Sequence, residues 1–238
     1  NMAGSTVYAA TDFSGANGEV ITSGDWEGWS WRVFGNSTNT TDNTIKEEKN
    51  GDVTLVSANN KGKLDGSNDG INYLYYQIPS EQDFILNTIA TITADNAGKQ
   101  GGFGIMLRDN VDDHKVTKNS LPMGHALIGM YKNGDNAYTL GSLRTGCTSE
   151  KISGSRKNLT GITDYFTVGE SYHLTMQKVG DTLYMTVNDQ NEEAVVSKVV
   201  TDDTMYVGLT SIRNVGATYS NTVLDTVSPI AYSVFTGR

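Results

Sequence analysis

The chain has 238 residues, of which 37% are hydrophobic and 19% charged, with a formal net charge of -9. That length suits one all-β domain able to bury roughly 70–75% of its unfolded surface without a staple. The negative charge speaks against unspecific nucleic-acid binding, which needs a basic face. The single cysteine, Cys147, excludes an intrachain disulfide, and there is no apolar run of about 18 residues to span a membrane.

In chain order, the opening residues NMAGSTVYAA have neither the basic start nor the long apolar stretch of a signal peptide. The whole chain, 1–238, is expected to form a single β-sandwich domain excised from a larger protein. Period-2 alternation predicts strands at 6–13, 29–35, 52–58, 71–78 and 83–95, then at 102–109, 125–132, 137–145, 194–200, 204–213 and 217–228. The clearest case is YHLTMQKVGDTLYMTVND, 172–189. Tyr172, Leu174 and Met176 share one face before a turn at Gly180-Asp181, and Leu183, Met185 and Val187 share one after it. No long window holds a clean helical period. The polar stretches 35–44 and 111–124 are predicted loops, and loops of that length are often functional.

Two strands end alike. GGFGIMLRDN closes on Arg108, Asp109 and Asn110, and VGLTSIRN closes on Arg213 and Asn214. Together with FILNTIATITAD, ATDFSG and YVGLTSIRNVGATYSNTVL, these stretches resemble the concanavalin A-like jelly-roll modules of bacterial extracellular polysaccharide-degrading enzymes, above all those that accompany pectate lyases. Levan-binding modules are more distant relatives. The resemblance implies an all-β, two-sheet antiparallel sandwich, secretion, a polysaccharide ligand and a covalently linked catalytic domain. In many such modules a structural calcium ties the terminal strands together, and Asp12 and Asp225 are the matching carboxylates.

Arg108 lies on the strand face of Gly104 and Met106, where small neighbours leave room for a ligand and a guanidinium offers a fork of donors to carboxylates or sugar hydroxyls. The competing reading of Arg108 and Arg213 is a structural ion pair, for example with Asp109. With Asp109, Asn110 and Asn214 they form the first candidate site, and the two guanidiniums are expected to meet one sugar. Trp29 and Trp31, with Trp26 before them, are either a stacking platform for a pyranose or core filling, and aromatics mostly go inside. Tyr73, Tyr75 and Tyr76 share that ambiguity, and Tyr131 is a candidate pocket wall.

The loop DGSNDG, 65–70, begins like a calcium loop but has Tyr76 where an EF-hand places its bidentate Glu, so it reads as a turn. His114, His125, His173 and Cys147 have no metal-ligand spacing. Asn36, Asn39 and Asn158 begin glycosylation sequons that a bacterial origin would leave silent. A glycosidase needs two carboxylates facing each other across the scissile bond. Glu47-Glu48 are adjacent and point apart on a strand, and Glu192-Glu193 are assigned to a turn. The reading is a non-catalytic carbohydrate-binding module for a plant or microbial polysaccharide, acidic and pectin-like. A lyase or hydrolase with an unrecognised site and a structural or adhesin domain are the alternatives.

Overall fold

The computed structural model describes residues 19–21, 26, 28–35, 40–48, 51–58, 70–95, 100–111, 125–133, 137–145, 155–158, 167–213 and 215–227. Among them, fifteen strands form two antiparallel sheets. The strands are β1 (Glu19–Ile21), β2 (Trp29–Gly35), β3 (Thr44–Glu47), β4 (Val53–Val56), β5 (Gly70–Pro79), β6 (Asp83–Asp95), β7 (Gln100–Arg108) and β8 (His125–Asn133). Then follow β9 (Ala137–Thr145), β10 (Ser155–Asn158), β11 (Ser171–Val179), β12 (Thr182–Val187), β13 (Gln190–Val195), β14 (Thr204–Ile212) and β15 (Val215–Val227). One sheet runs β1-β2-β5-β14-β7-β8-β9-β10, the other β13-β12-β11-β6-β15-β4-β3. This is the two-sheet jelly roll that the strand pattern and the resemblance imply.

Alternation builds the core. Trp31, Leu74, Phe103, Ile105, Leu107, Val207 and Leu209 of the first sheet face Leu55, Phe84, Leu86, Leu174, Met176, Met185 and Tyr219 of the second. Each fully buried side chain of this kind contributes roughly 1.5–3 kcal/mol. The hairpin of β11 and β12 turns at Gly180-Asp181 with Leu174 opposite Val187 and Met176 opposite Met185, as its period predicts.

Two polar side chains cross this core. The Tyr219 hydroxyl, from β15, accepts from the Gly104 amide at 2.6 Å and donates to the Thr210 carbonyl at 2.5 Å. Gly104 has φ +122°, a conformation that suits glycine, and there it turns its amide toward the tyrosine. Burial pushes the Tyr219 phenol far above its ordinary pKa, so the hydroxyl keeps its proton. Asn72, on β5, donates to the Thr44 carbonyl at 2.6 Å and the Val56 carbonyl at 3.0 Å in the opposite sheet, and accepts from the Trp31 indole.

Three expectations need correction. The apolar run AVVSKVV, expected as a strand over 194–200, ends β13 and then forms a one-turn helix, α1 (Val196–Val199). Asp181 sets that turn by accepting from the Ser197 amide at 2.7 Å and its hydroxyl at 2.8 Å. Glu192 and Glu193 lie in strand β13, not in a turn, and β3 emerges from what reads as the tail of a polar loop. The strand expected at 6–13 lies outside the described residues.

Candidate functional site

The first sheet has a second face, turned away from the core. Registers place Tyr73 and Tyr75 of β5, Tyr206, Gly208 and Thr210 of β14, and Gly104, Met106 and Arg108 of β7 on it. Ile71, Tyr73, Tyr75, Met106, Val111 and Ile212 form a separate apolar cluster here, with Tyr206 half-buried at its edge. The Tyr73 and Tyr75 rings stack at 5.1 Å and 24°, and Tyr75 meets Tyr206 at 5.6 Å and 41°. The Tyr73 hydroxyl donates to the Met106 carbonyl at 2.7 Å, and burial holds its pKa well above the usual phenol value. Gly208 is required for space: a Cβ there would collide with the Leu74 carbonyl of the neighbouring strand.

Arg108 is 0% exposed. Its Nε donates to the Asn110 carbonyl at 3.0 Å, and its Nη1 reaches Met106 Sδ at 3.9 Å. Burial lowers its pKa to about 10, against the pull of Tyr73 and Asp109, so it stays cationic near neutrality. The competing reading was an ion pair with Asp109. The Asp109 carboxylate instead accepts from the Thr201 amide at 2.9 Å, the Thr201 hydroxyl at 3.0 Å and the Asp202 amide at 3.2 Å, fastening the segment that enters β14. Arg108-Asp109-Asn110 thus ends β7 as a buried tie.

Arg213 is also buried, with φ +57°, at the bend where the chain leaves the first sheet for the second, and its amide donates to the Gly70 carbonyl at 3.1 Å. The expectation that both arginines reach one sugar is overturned by topology. β7 and β14 are antiparallel, with Arg108 opposite Tyr206 and Ile212 opposite Gly102, so roughly seven residues or ~23 Å of strand separate the two.

The tryptophans are core, not a platform. Trp26 and Trp29 are 0% exposed and Trp31 3%. Trp29 packs edge-on against Trp26 at 5.6 Å and Tyr76 at 5.7 Å. Their parity puts Trp29 and Trp31 on the inner face of β2, with Leu74 opposite Trp31. Tyr131 sits on β8 opposite Gly102, at a register position of the outer face, and Asn214 and Asp12 lie outside the described residues. Asp225 is on β15 opposite Ile85, half-buried, and no group of three His, Cys, Asp or Glu is gathered for a metal among the described residues. Tyr206 went unnoticed in the sequence, although alternation in TMYVGLTSIR sets it apart from Val207 and Leu209.

A second feature lies at one end of the sandwich. An open cleft of about 710 Å³ is lined by Ser80, Glu81, Lys178, Asp181, Ser197 and Asp203, among others. Its only described cation, Lys178, is bound to Asp83 at 3.0 Å with both side chains buried. Its three carboxylates would repel an acidic ligand.

Sheet order and core together define a two-sheet antiparallel β-sandwich, the concanavalin A-like jelly roll. Residues 32–229 match the pectate disaccharide-lyase N-terminal domain, and the chain belongs to that family. It is 26% identical over 210 residues to Pectate lyase L of Thermoclostridium stercorarium, covering 87% of this chain but 16% of that enzyme. Among solved structures it resembles a functionally unknown protein from Saccharomyces cerevisiae (TM-score 0.51, 17% identity, 83% of this chain and 95% of that one). It also resembles LamAcat from Zobellia galactanivorans (0.51, 9%, 83% and 90%) and the Emp47p carbohydrate recognition domain (0.50, 10%, 94% and 94%). At these identities the likeness concerns the fold.

Proposed function

We propose that this domain binds pectin-like polysaccharide without cleaving it, on the outer face of the eight-stranded sheet, and holds a secreted pectate-degrading enzyme to its substrate. The observation that carries the reading is the half-buried Tyr206 ring beside Tyr75 and Arg108: an aromatic surface for sugar C–H groups next to a fixed positive charge. Family membership supports the ligand class. The chain's 16% share of Pectate lyase L supports a catalytic part elsewhere in the protein.

Titration calorimetry on polygalacturonate, beside ultraviolet detection of unsaturated uronate products, tests this. Binding without product is expected. Product formation by the domain alone would make it a lyase, and failure to bind any glycan would leave a structural or adhesin role. The calcium proposal, with Asp12 and Asp225 as ligands, has its own test. Chelation should lower the melting temperature and added calcium restore it by mass action. An unchanged melt and no metal by elemental analysis would end it.

A further inference from the structure

The cleft at the end of the sandwich is framed by bonds between segments far apart in the chain. Its walls are the β5–β6 and β11–β12 turns, α1 and the segment from α1 to β14. Asp83 accepts from Lys178 Nζ at 3.0 Å and from the Gly180 amide at 2.9 Å, which fixes the β11–β12 turn to β6. Asp181, in that turn, holds Ser197 of α1 through bonds of 2.7 and 2.8 Å. The Ser80 amide donates to the Asp203 carbonyl at 2.8 Å and so joins the β5–β6 turn to the segment that Asp109 fastens at Thr201 and Asp202. The walls are thus set before any ligand arrives, which lowers the ordering cost of binding. At about 710 Å³ the cleft falls within the usual range of small-ligand sites, roughly 300–1,000 Å³.

The same bonds decide which polar groups are left for a ligand. The Asp181 carboxylate is taken by Ser197, and the Ser80 hydroxyl by the Asp202 carbonyl. The Glu81 and Asp203 carboxylates are exposed and have no partner among the described residues. Lys178 is 3% exposed, and Asp83 is the one partner of its ammonium among the described residues, although an ammonium carries three donors. Val196 and Val200, both buried, add apolar surface to the lining. A fitting ligand donates to carboxylates, accepts from an ammonium and presents carbon to two valines. An anion meets the repulsion of three carboxylates. A cation leaves the remaining Lys178 donors unmet, and no three acidic groups are gathered for a metal among the described residues. The hydroxyls of a neutral sugar both donate and accept, with C–H groups between them.

We propose that the cleft is a second glycan site, one that takes a neutral, hydroxyl-rich sugar chain. Glu81 and Asp203 accept from its hydroxyls, Lys178 donates to a hydroxyl oxygen, and Val196 and Val200 lie against its C–H groups. Hydrogen bonds with one charged partner are the stronger kind, so few are needed. The site uses none of the residues of the acidic-polymer site proposed above and takes a different class of ligand. The two sites therefore stand or fall separately.

The test titrates the whole chain and its Glu81→Ala, Asp203→Ala and double variants with a galactan, a mannan, a glucan, spermine and polygalacturonate, beside thermal melts. The parent is expected to bind at least one of the neutral polymers, with little dependence on salt because that ligand carries no charge. Each single substitution should weaken this binding about three- to tenfold and the double about ten- to a hundredfold. Glu81→Gln, which keeps an acceptor oxygen, should retain part of the affinity. The melting temperatures should hold, because both carboxylates are exposed and unbonded. Polygalacturonate binding should not weaken in any variant, and a parallel loss would overturn the separation of the two sites. The cleft is overturned as a neutral-sugar site if the parent binds none of the neutral polymers, if it takes spermine alone, or if the double variant binds them as the parent does. If the parent binds neutral polymer but not polygalacturonate, the cleft stands and the acidic-polymer reading falls.

Discussion

The two sheets turn very different outer faces outward. On the seven-stranded sheet, cross-strand neighbours are hydroxyls and amides that satisfy one another. Thr175 donates to Asn87 at 2.6 Å and Thr186 to Asn191 at 2.9 Å, while Thr54 bonds Thr218 and Thr91 bonds Ser171, each at 2.7 Å. This is a solvated surface, with Tyr184 38% exposed upon it. On the eight-stranded sheet the outer positions hold Tyr73, Tyr75, Met106 and Arg108, all buried. Both sheets obey the same alternation. The difference shows that an outer face is not a solvent face by default: around Tyr73, Met106 and Arg108 it is as buried as the core.

Substitutions at matched positions test that contrast. The largest effect is expected on stability. Tyr73→Ala removes a buried ring and its bond to the Met106 carbonyl, and should cost about 3–5 kcal/mol in urea unfolding. Thr175→Ala, its counterpart on the hydroxyl face, should cost no more than about 1 kcal/mol. Equal losses would mean that the two faces are equivalent. Arg108→Ala comes next, at about 1.5–3 kcal/mol, through its charge-assisted bond to the Asn110 carbonyl. Thermal melts beside calorimetry should show stability falling more than affinity per folded molecule, and the reverse would make Arg108 a direct ligand contact. The smallest effect is on binding alone. Tyr206→Ala should weaken polygalacturonate binding by about 1–2 kcal/mol. Tyr184→Ala should leave it unchanged, and a loss with Tyr184→Ala instead would move the site to the other sheet.

What was legible in the sequence follows from which forces are local. The β11–β12 hairpin was plain because its inward side chains alternate and its turn carries Gly180. The helix at Val196–Val199 was hidden because a short apolar run reads equally as strand, and the contact that decides it comes from Asp181, fifteen residues before the helix begins. Trp29 and Trp31 were recognised as a same-face pair, but the choice of face depends on pairing with β5, far along the chain. The matching ends at Arg108 and Arg213 were visible, whereas their antiparallel adjacency, which drives them apart, was not.

Tyr219 has a mechanical consequence. Its hydroxyl grips both β7 and β14 from the opposite sheet, at the one glycine whose backbone turns to meet it. Sliding one sheet over the other by a single residue, about 3.4 Å, would break both bonds at once and leave a buried amide and a buried carbonyl bare. Asn72 makes a second such weld near the β3–β4 edge. The sandwich therefore resists shear at two separated points.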